Sequence, residues 1–554
     1  MPTIVLSLKD FEKDGYSQDK LKELMPQVGI EVESVAGDDI TISMTPNRAD
    51  LLDFVGIVRA LDDFTGVRVP KEEFYKITND PALRIIVTKE AKKARPYITG
   101  LVAKNVDFSG SRLKAMINFM EKFADAYGRK RRKIAIGMHN LEAIKGDLTY
   151  TAAKAGSFVP LNMKANMSFE EIMEQHEKGL AYQNTIPDYG TPKALYPVLR
   201  DSEKIIALIP ITNSEATRTS ETTKDVFIDI TGTSQKAIMG AANLLACSFM
   251  YAGADVYPIA IEYPAVKKQS PVLRYEEIKV NMGKADRTLG AIVGRHDVIR
   301  LANKMGYVAA KYGKSVLFYV PPYRLDVLNY QDIIEDIAIA FGYDKINPLP
   351  VVGAADGLSD ELADFENRLA VYMVGLGYME AHNSLLTNER VNFDNMLTKY
   401  EAGGYIQTSD AQSSEVTMVR SVVLPGLMKN LSISVNERLP QRLFEIGQVF
   451  TVNGGKIRES LGIAGASEHA RANFSEIKSA VESLLGNIGV EGYKIEPHSN
   501  PSYIEGRCAA VKAENEIVCV FGELHPQVLE NFGLEEPVVA FEMVLVKSMK
   551  YLGL

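Results

Sequence analysis

The stretch PPYRLDVLNYQDIIEDIAIAFGYDKI, residues 321–346, narrows the possible folds more than any other part of the chain. Behind its extended Pro-Pro start, Ile333, Ile334, Ile337 and Phe341 recur at helical spacing, so a helix from Gln331 must bury one stripe. Asp332, Glu335 and Asp336 follow the spacing i, i+3, i+4 and are expected to point away from that stripe. Asp326 stands before the helix, where the chain can fold back toward the first turn. Two readings suit these four carboxylates. They can form a solvated face favoured by the helix dipole. Alternatively they can surround a hard cation such as Mg²⁺, which binds one or two carboxylates directly and keeps several waters. Repulsion among close negative charges gives the second reading its motive.

Around this helix the chain divides into four expected domains, reasonable for 554 residues at about 100–200 residues each. Residues 1–84 read as a small α+β module: strands at TIVLSL and DDITISMTP, then the helix NRADLLDFVGIVRALDDFTG. That helix has Leu51, Val55, Val58 and Leu61 on one stripe, Asn47 or Asp50 able to cap it, and Gly66 to end it. Residues 85–265 alternate strands and helices as an α/β domain. Within it, KDVFIDITGTSQKAIMGAANLLACSFMYAGA gives a buried strand, a glycine turn and a long apolar helix. Residues 266–350, entered through YPAVKKQSP, outline a winged-helix-like module: helices at HDVIRLANKMG and QDIIEDIAIAFGY flank the strand SVLFYVPPYR. A further boundary falls at LPVVGAADGLSDE, after which residues 351–554 alternate helices with β runs such as QRLFEIGQVFTV and AFEMVLVKSM. The expected class is multidomain α+β.

Composition removes several functions. No apolar run approaches the ~18 residues of a membrane span. The start MPTIVLSLKDFEKDG also lacks the basic and apolar regions of a signal peptide, so a cytoplasmic location without a membrane partner is expected. Cys247, Cys508 and Cys519 form no CxxC pair and the histidines are scattered, which speaks against a disulfide framework or a transition-metal centre. At a net charge of −9, binding to phosphate would need a local patch. Such a patch exists in GRKRRK: Arg129, Lys130, Arg131, Arg132 and Lys133. It is open to two readings, a solvated helix C-terminus or a contact to an RNA backbone.

Seven segments follow one another in a telling order. They are MTPNRADLLDFVGIVRAL (44–61), GMHNLEAIKGDLTY (137–150), ITNSEATRTSETTKDVFIDITGT (211–233), the stretch 321–346, VRSVVLPGLMKNL, RLFEIGQVF and FGELHPQVLENFGL. Together they resemble the phenylalanyl-tRNA synthetase β-subunit family of the archaeal and eukaryotic cytosolic type, from residue 1 to about residue 547. The resemblance implies a part in joining phenylalanine to tRNA(Phe) as ATP becomes AMP and diphosphate. ATP and adenylation would belong to a partner α subunit in an α2β2 heterotetramer. This chain would contribute assembly, tRNA binding and proofreading, with no DNA partner.

The family's magnesium pattern, Asp-x5-Asp-x2-Glu-[Glu/Asp], matches Asp326, Asp332, Glu335 and Asp336, and implies a structural Mg²⁺ clamp at a subunit contact. The family's editing domain corresponds to residues 85–265 and hydrolyses tRNA mischarged with tyrosine. A second site is useful because a hydrophobic pocket rejects an added hydroxyl poorly. Candidate pocket residues are Asp229 and Thr231 on the buried strand, and Asn213 and Ser214 on a loop. Asp229 could equally cap the helix that follows. His139 in GMHN is open to two roles, orienting water or holding structure. Residues 351–554 resemble a class II synthetase core, an antiparallel sheet, without its chemistry. Arg442 and Glu445 superficially fit one ATP-contacting strand, but no GxGxGxxR occurs, GLGY at 375–378 reads as a helix C-cap, and His525 reads as part of a strand-to-helix turn. An interface role follows. The competing function is a non-catalytic nucleic-acid-binding adaptor built on the winged-helix-like module and GRKRRK, against which the acidic helix counts.

Overall fold

A computed structural model describes residues 2–545 apart from 72–74, 291–292, 349, 351–352, 354–356, 401–402, 410, 412 and 514–515. The chain forms two compact units, residues 1–351 and 352–554. Much of the boundary stretch LPVVGAADGLSDE and the end of AFEMVLVKSM lie outside the described residues.

The first unit opens with a three-stranded antiparallel sheet in which Asp39–Met44 runs between Thr3–Ser7 and Ile30–Ala36. The helix packed on it, Phe54–Thr65, starts later than its sequence suggests. Leu51 sits in a preceding 3-10 turn, and neither Asn47 nor Asp50 caps the helix. Asp50 is taken instead by Arg48, which donates from Nε and Nη2 at 2.9 Å each, and by Arg59 at 3.5 Å. Gly66 ends the helix with φ +78°, a backbone that glycine adopts without a Cβ penalty.

Two sheets follow. A seven-stranded mixed sheet includes Leu83–Val87, Leu148–Ala153, Tyr196–Arg200 and Ile259–Tyr263. The four-stranded sheet centres on Val226–Gly232, antiparallel to Tyr97–Lys104 on one side and to Ile134–Asn140 on the other. Alternation divides that central strand cleanly. Val226, Ile228 and Ile230 join the core under the helices Arg112–Asp125 and Gln235–Tyr251, while Phe227 joins the core with Ile85, Leu148 and Ile259 of the larger sheet. Asp229 and Thr231 share the face of Phe227, so polar side chains enter a buried layer.

The last module of this unit has a three-stranded sheet, Glu276–Asn281, Ser315–Val320 and Val308–Tyr312 in spatial order, with helices Met282–Leu289, Arg295–Lys304 and Tyr330–Phe341. The acidic helix opens on Asn329, whose side chain accepts from Gln331 N at 2.7 Å in a capping box with Asp332. Ile333, Ile334 and Ile337 are buried as their spacing requires.

The second unit is built on a seven-stranded sheet, antiparallel except where the edge strand Met379–Glu380 runs parallel to Leu443–Phe444. Helices Glu361–Gly375 and Phe474–Asn487 cover one face, and Leu424–Ile433 with Pro526–Phe532 the other. Gly377, at φ +84°, lies just beyond the end of the helix Glu361–Gly375, and His525 caps the helix Pro526–Phe532 by accepting from Gln527 N at 3.1 Å. Glu445 is fully buried against Arg420 at 2.5 Å, and Arg442 reaches Glu476 at 3.3 Å, so both side chains have internal partners.

Candidate functional site

A cavity of about 120 Å³ opens beside the strand Ile134–Asn140, lined among others by Arg131, Gly137, Asn213, Asp229 and Thr231. Strand register brings these distant residues together: Asp229 pairs with Gly137 on one side and Gly100 on the other. The carboxylate of Asp229 lies over Gly137. A Cβ there would overlap Asp229 Oδ2 and stand 3.0 Å from Asn213 Oδ1. Asn213 is held to the same strand by donating from Nδ2 to the Met138 carbonyl at 3.1 Å.

Asp229 is not a helix cap, because Ser234 caps the helix Gln235–Tyr251. Its Oδ2 lies 3.0 Å from His139 Nε2, and His139 Nδ1 lies 2.8 Å from the Thr217 hydroxyl. Each ring nitrogen thus has one side-chain partner, and the Thr217 hydroxyl also donates to the Ser214 carbonyl at 3.3 Å. Among the described residues Asp229 Oδ1 has no hydrogen-bond partner, and this residue lines the cavity. His139 itself is fully buried behind the carboxylate and stacked on Phe227, 5.9 Å between ring centres. Its two ring nitrogens face Asp229 and Thr217. Ser214 also stands off the cavity: its hydroxyl accepts from Ala216 N at 3.3 Å and donates to the Val159 carbonyl at 3.4 Å, fixing the loop.

Three residues of this site escaped the sequence reading: Gly137, Thr217 and Arg95. Arg95 is only 3% exposed and precedes the strand Tyr97–Lys104. It donates to Thr231 Oγ1 at 3.1 Å, to the Thr231 and Arg131 carbonyls at 2.9 Å each, and to the Arg132 carbonyl at 3.2 Å. Burial lowers its pKa to about 10.

The basic run is not a helix C-terminus. The helix Arg112–Asp125 stops short of it, and Arg129, Lys130 and Arg131 adopt φ of +53°, +50° and +63°. Left-handed backbone costs roughly 1–2 kcal/mol for each such residue. The turn is held by Lys130 N to the Asp125 carbonyl at 2.9 Å, Arg131 N to Ala124 at 3.0 Å and Lys133 N to Gly128 at 2.8 Å. This winding exposes Arg129, Lys130 and Arg132 and turns Arg131 inward. Arg131 donates to the carbonyls of Pro210 and Ile211 at 2.9 and 3.0 Å and lies 4.2 Å over the Tyr182 ring. Lys133 is half-buried over the Tyr127 ring at 4.4 Å, and burial lowers its pKa. The five cations thus separate into an exposed group and an inward group.

The acidic cluster separates as well. Asp336 does not point away from the apolar stripe but is buried, bonded by Arg324 Nη2 at 2.5 Å and by the Tyr307 hydroxyl. Arg324 also holds Asp326, at 2.9 and 2.7 Å. Asp332 Oδ2 accepts from Leu328 N and Asn329 N at 2.7 and 2.8 Å, and Glu335 is exposed. Among the described residues no group of three or more His, Cys, Asp or Glu side chains is placed to hold an ion. Within this chain Arg324 holds Asp326 and Asp336, and the backbone N–H groups of Leu328 and Asn329 hold Asp332, which leaves Glu335 exposed. Arg324 belongs to a larger buried network: Arg59 lies 3.5 Å over Tyr323, Arg48 feels the charges of Arg324, Asp50 and Asp326, and Asp50 those of Arg48, Arg324 and Arg59.

Comparison with known proteins gives a consistent assignment. Residues 97–249 match the B3/4 domain, residues 278–343 the tRNA synthetase B5 domain, and residues 347–545 the phenylalanyl tRNA synthetase beta chain CLM domain. The phenylalanine–tRNA ligase beta subunit of Methanocella arvoryzae is 33% identical over 98% of this chain and 99% of its own. That of Archaeoglobus fulgidus is 32% identical over 98% of each. The crystal structure of an N-terminal fragment of the Pyrococcus horikoshii phenylalanyl-tRNA synthetase beta subunit superposes with a TM-score of 0.58 at 30% identity, covering 62% of this chain and all of the fragment. With a relative this similar along nearly its whole length, the chain belongs to the phenylalanine–tRNA ligase beta subunit family.

Proposed function

We propose that this chain acts in phenylalanine–tRNA ligase as the subunit that proofreads, hydrolysing Tyr-tRNA(Phe) in the cavity beside Asp229. The observation that carries the reading is the divided carboxylate: Oδ2 is tied to His139, while Oδ1 has no partner among the described residues of a cavity-lining side chain. A phenol hydroxyl entering the cavity donates to Oδ1. A phenyl ring leaves that acceptor desolvated and unpaired, at a cost of roughly 1–3 kcal/mol. Sites built to bond a substrate hydroxyl discriminate strongly against the analogue without it. Thr231 Oγ1 accepts from Arg95, which leaves its own proton for a substrate oxygen, and Asn213 closes the opposite wall.

Exposed Arg129, Lys130 and Arg132 bind the RNA backbone close to the cavity, where Arg131 anchors their turn. Adenylation belongs to an α partner in a heterotetramer. In this chain the ATP-strand candidates Arg442 and Glu445 are engaged by Glu476 and Arg420, which suits an assembly role for the second unit. Among the described residues no helix is long and apolar enough to cross a membrane.

The test is deacylation of Tyr-tRNA(Phe) by the assembled ligase carrying Asp229→Asn or Asp229→Ala. Both variants should lose Tyr-tRNA hydrolysis while charging with phenylalanine continues. Equal loss of the two activities would make Asp229 a structural residue and end the editing reading.

A further inference from the structure

We propose that Arg95 is a positioning residue that couples the basic turn to the pocket wall, so that RNA held on the turn fixes Thr231 for hydrolysis. The inference rests on the pocket being hydrolytic and on the turn being its RNA contact. Arg95 has no carboxylate bonded to it among the described residues; its donors go to Thr231 Oγ1 and to the carbonyls of Thr231, Arg131 and Arg132. A cation kept inside on neutral acceptors carries a desolvation cost that a packed apolar side chain avoids. What guanidinium offers in return is a rigid planar fork, which a lysine cannot reproduce.

The fork points two ways. One side grips Thr231, a wall of the cavity. The other grips the backbone of Arg131 and Arg132, beside the exposed Arg129 and Lys130. Arg131 closes the circuit by donating to the carbonyls of Pro210 and Ile211, which also line the cavity. The backbone of Arg95 is pinned in turn, its carbonyl accepting from the Tyr150 hydroxyl at 2.8 Å. Turn and cavity wall therefore share one hydrogen-bonded frame, and the left-handed backbone at 129–131 has this frame to oppose its relaxation. Losing the fork frees the turn to shift relative to Thr231.

The experiment is a double-mutant cycle in the ligase assembled with its α partner. Arg95→Met, Arg131→Met, the double variant and Arg95→Lys are compared for kcat and KM of Tyr-tRNA deacylation, with phenylalanine charging and thermal melting measured alongside. Arg95→Lys, which keeps the charge, should lower deacylation kcat/KM by about tenfold to a hundredfold, the scale of a misplaced reacting group. Losses from Arg95→Met and Arg131→Met should be strongly non-additive, because both act through one frame. If Arg95→Met does not fold, the cycle is run with Arg95→Lys. Additive losses, or full deacylation by Arg95→Lys, overturn the coupling. The reading beneath it fails differently: a wild-type ligase that does not deacylate Tyr-tRNA, or one insensitive to Asp229→Asn, removes the editing site altogether.

Discussion

Gly137→Ala isolates the pocket geometry in a single methyl group. The new Cβ would overlap Asp229 Oδ2 and lie 3.1 Å from its Cγ and 3.0 Å from Asn213 Oδ1. Neither neighbour yields freely, since His139 holds the carboxylate and the Met138 carbonyl holds the amide. Ordinary contact requires the carboxylate to withdraw by on the order of 1 Å, and misplacement on that scale costs about 100-fold in rate. This corresponds to about 2.7 kcal/mol of transition-state stabilisation. Overpacking itself destabilises by roughly 1–3 kcal/mol, small enough for the chain to fold. The assay is deacylation of Tyr-tRNA(Phe) by the assembled ligase, beside phenylalanine charging and a thermal melt. Deacylation should fall about 100-fold with charging intact, and adding Asp229→Ala should cost little more. Wild-type deacylation by a folded Gly137→Ala ligase would refute the placement of Asp229 in the reaction.

Charge reversal at the exposed Arg129 and Arg132 should raise the KM for tRNA and flatten the salt dependence of binding by about one to two in log–log slope; unchanged values in both would return the turn to plain surface. In the acidic helix, Asp336→Ala should cost about 1–3 kcal/mol in urea unfolding, because the Tyr307 hydroxyl loses its acceptor and Arg324 keeps only Asp326, whereas Glu335→Ala should be nearly neutral with or without Mg²⁺. Loss of a Mg²⁺-dependent stabilisation in Glu335→Ala would place Glu335 at a shared ion. Burial raises the pKa of Glu542 to about 7, although its carboxylate accepts from Val423 N and Leu424 N. The stability this group contributes is therefore complete below the ordinary carboxyl range and is lost as pH rises through about 7. Denaturation midpoints should fall from about pH 5 to about pH 7 and level off above, and Glu542→Gln, lower in stability throughout for want of one acceptor, should flatten the trend. An equal slope in both proteins would assign the trend to other groups.

Periodicity made the buried stripe Ile333, Ile334 and Ile337 legible, because helical spacing alone decides which apolar residues share a face. It misplaced Asp336, because the deciding partner, Arg324, lies outside the helix and converts an outward carboxylate into an inward one. The helix expected after Asn47 starts at Phe54 for a related reason: Asp50, a good cap by type, is held by two arginines. GRKRRK shows where cations are but not the left-handed winding that separates Arg131 from Arg129 and Arg132. The pocket was half legible. Asp229, Thr231 and Asn213 carry recognisable polar groups on a buried strand and its loop. Gly137 makes room for the Asp229 carboxylate by lacking a side chain, and only the register across the sheet shows what fills its space.

The buried arginines of the first unit bear on how such a chain can be exchanged piecemeal. Arg48, Asp50 and Arg59 come from the N-terminal module, while Tyr323, Arg324, Asp326 and Asp336 come from the module that ends it some 270 residues later by sequence count. Removing one member leaves its partner charged inside, so these positions are free to change only as a set. A hybrid that takes its first module from one relative must therefore take the segment around Tyr323 and Arg324 from the same source. The two ends of this unit are inherited as one part, however separable they look along the chain.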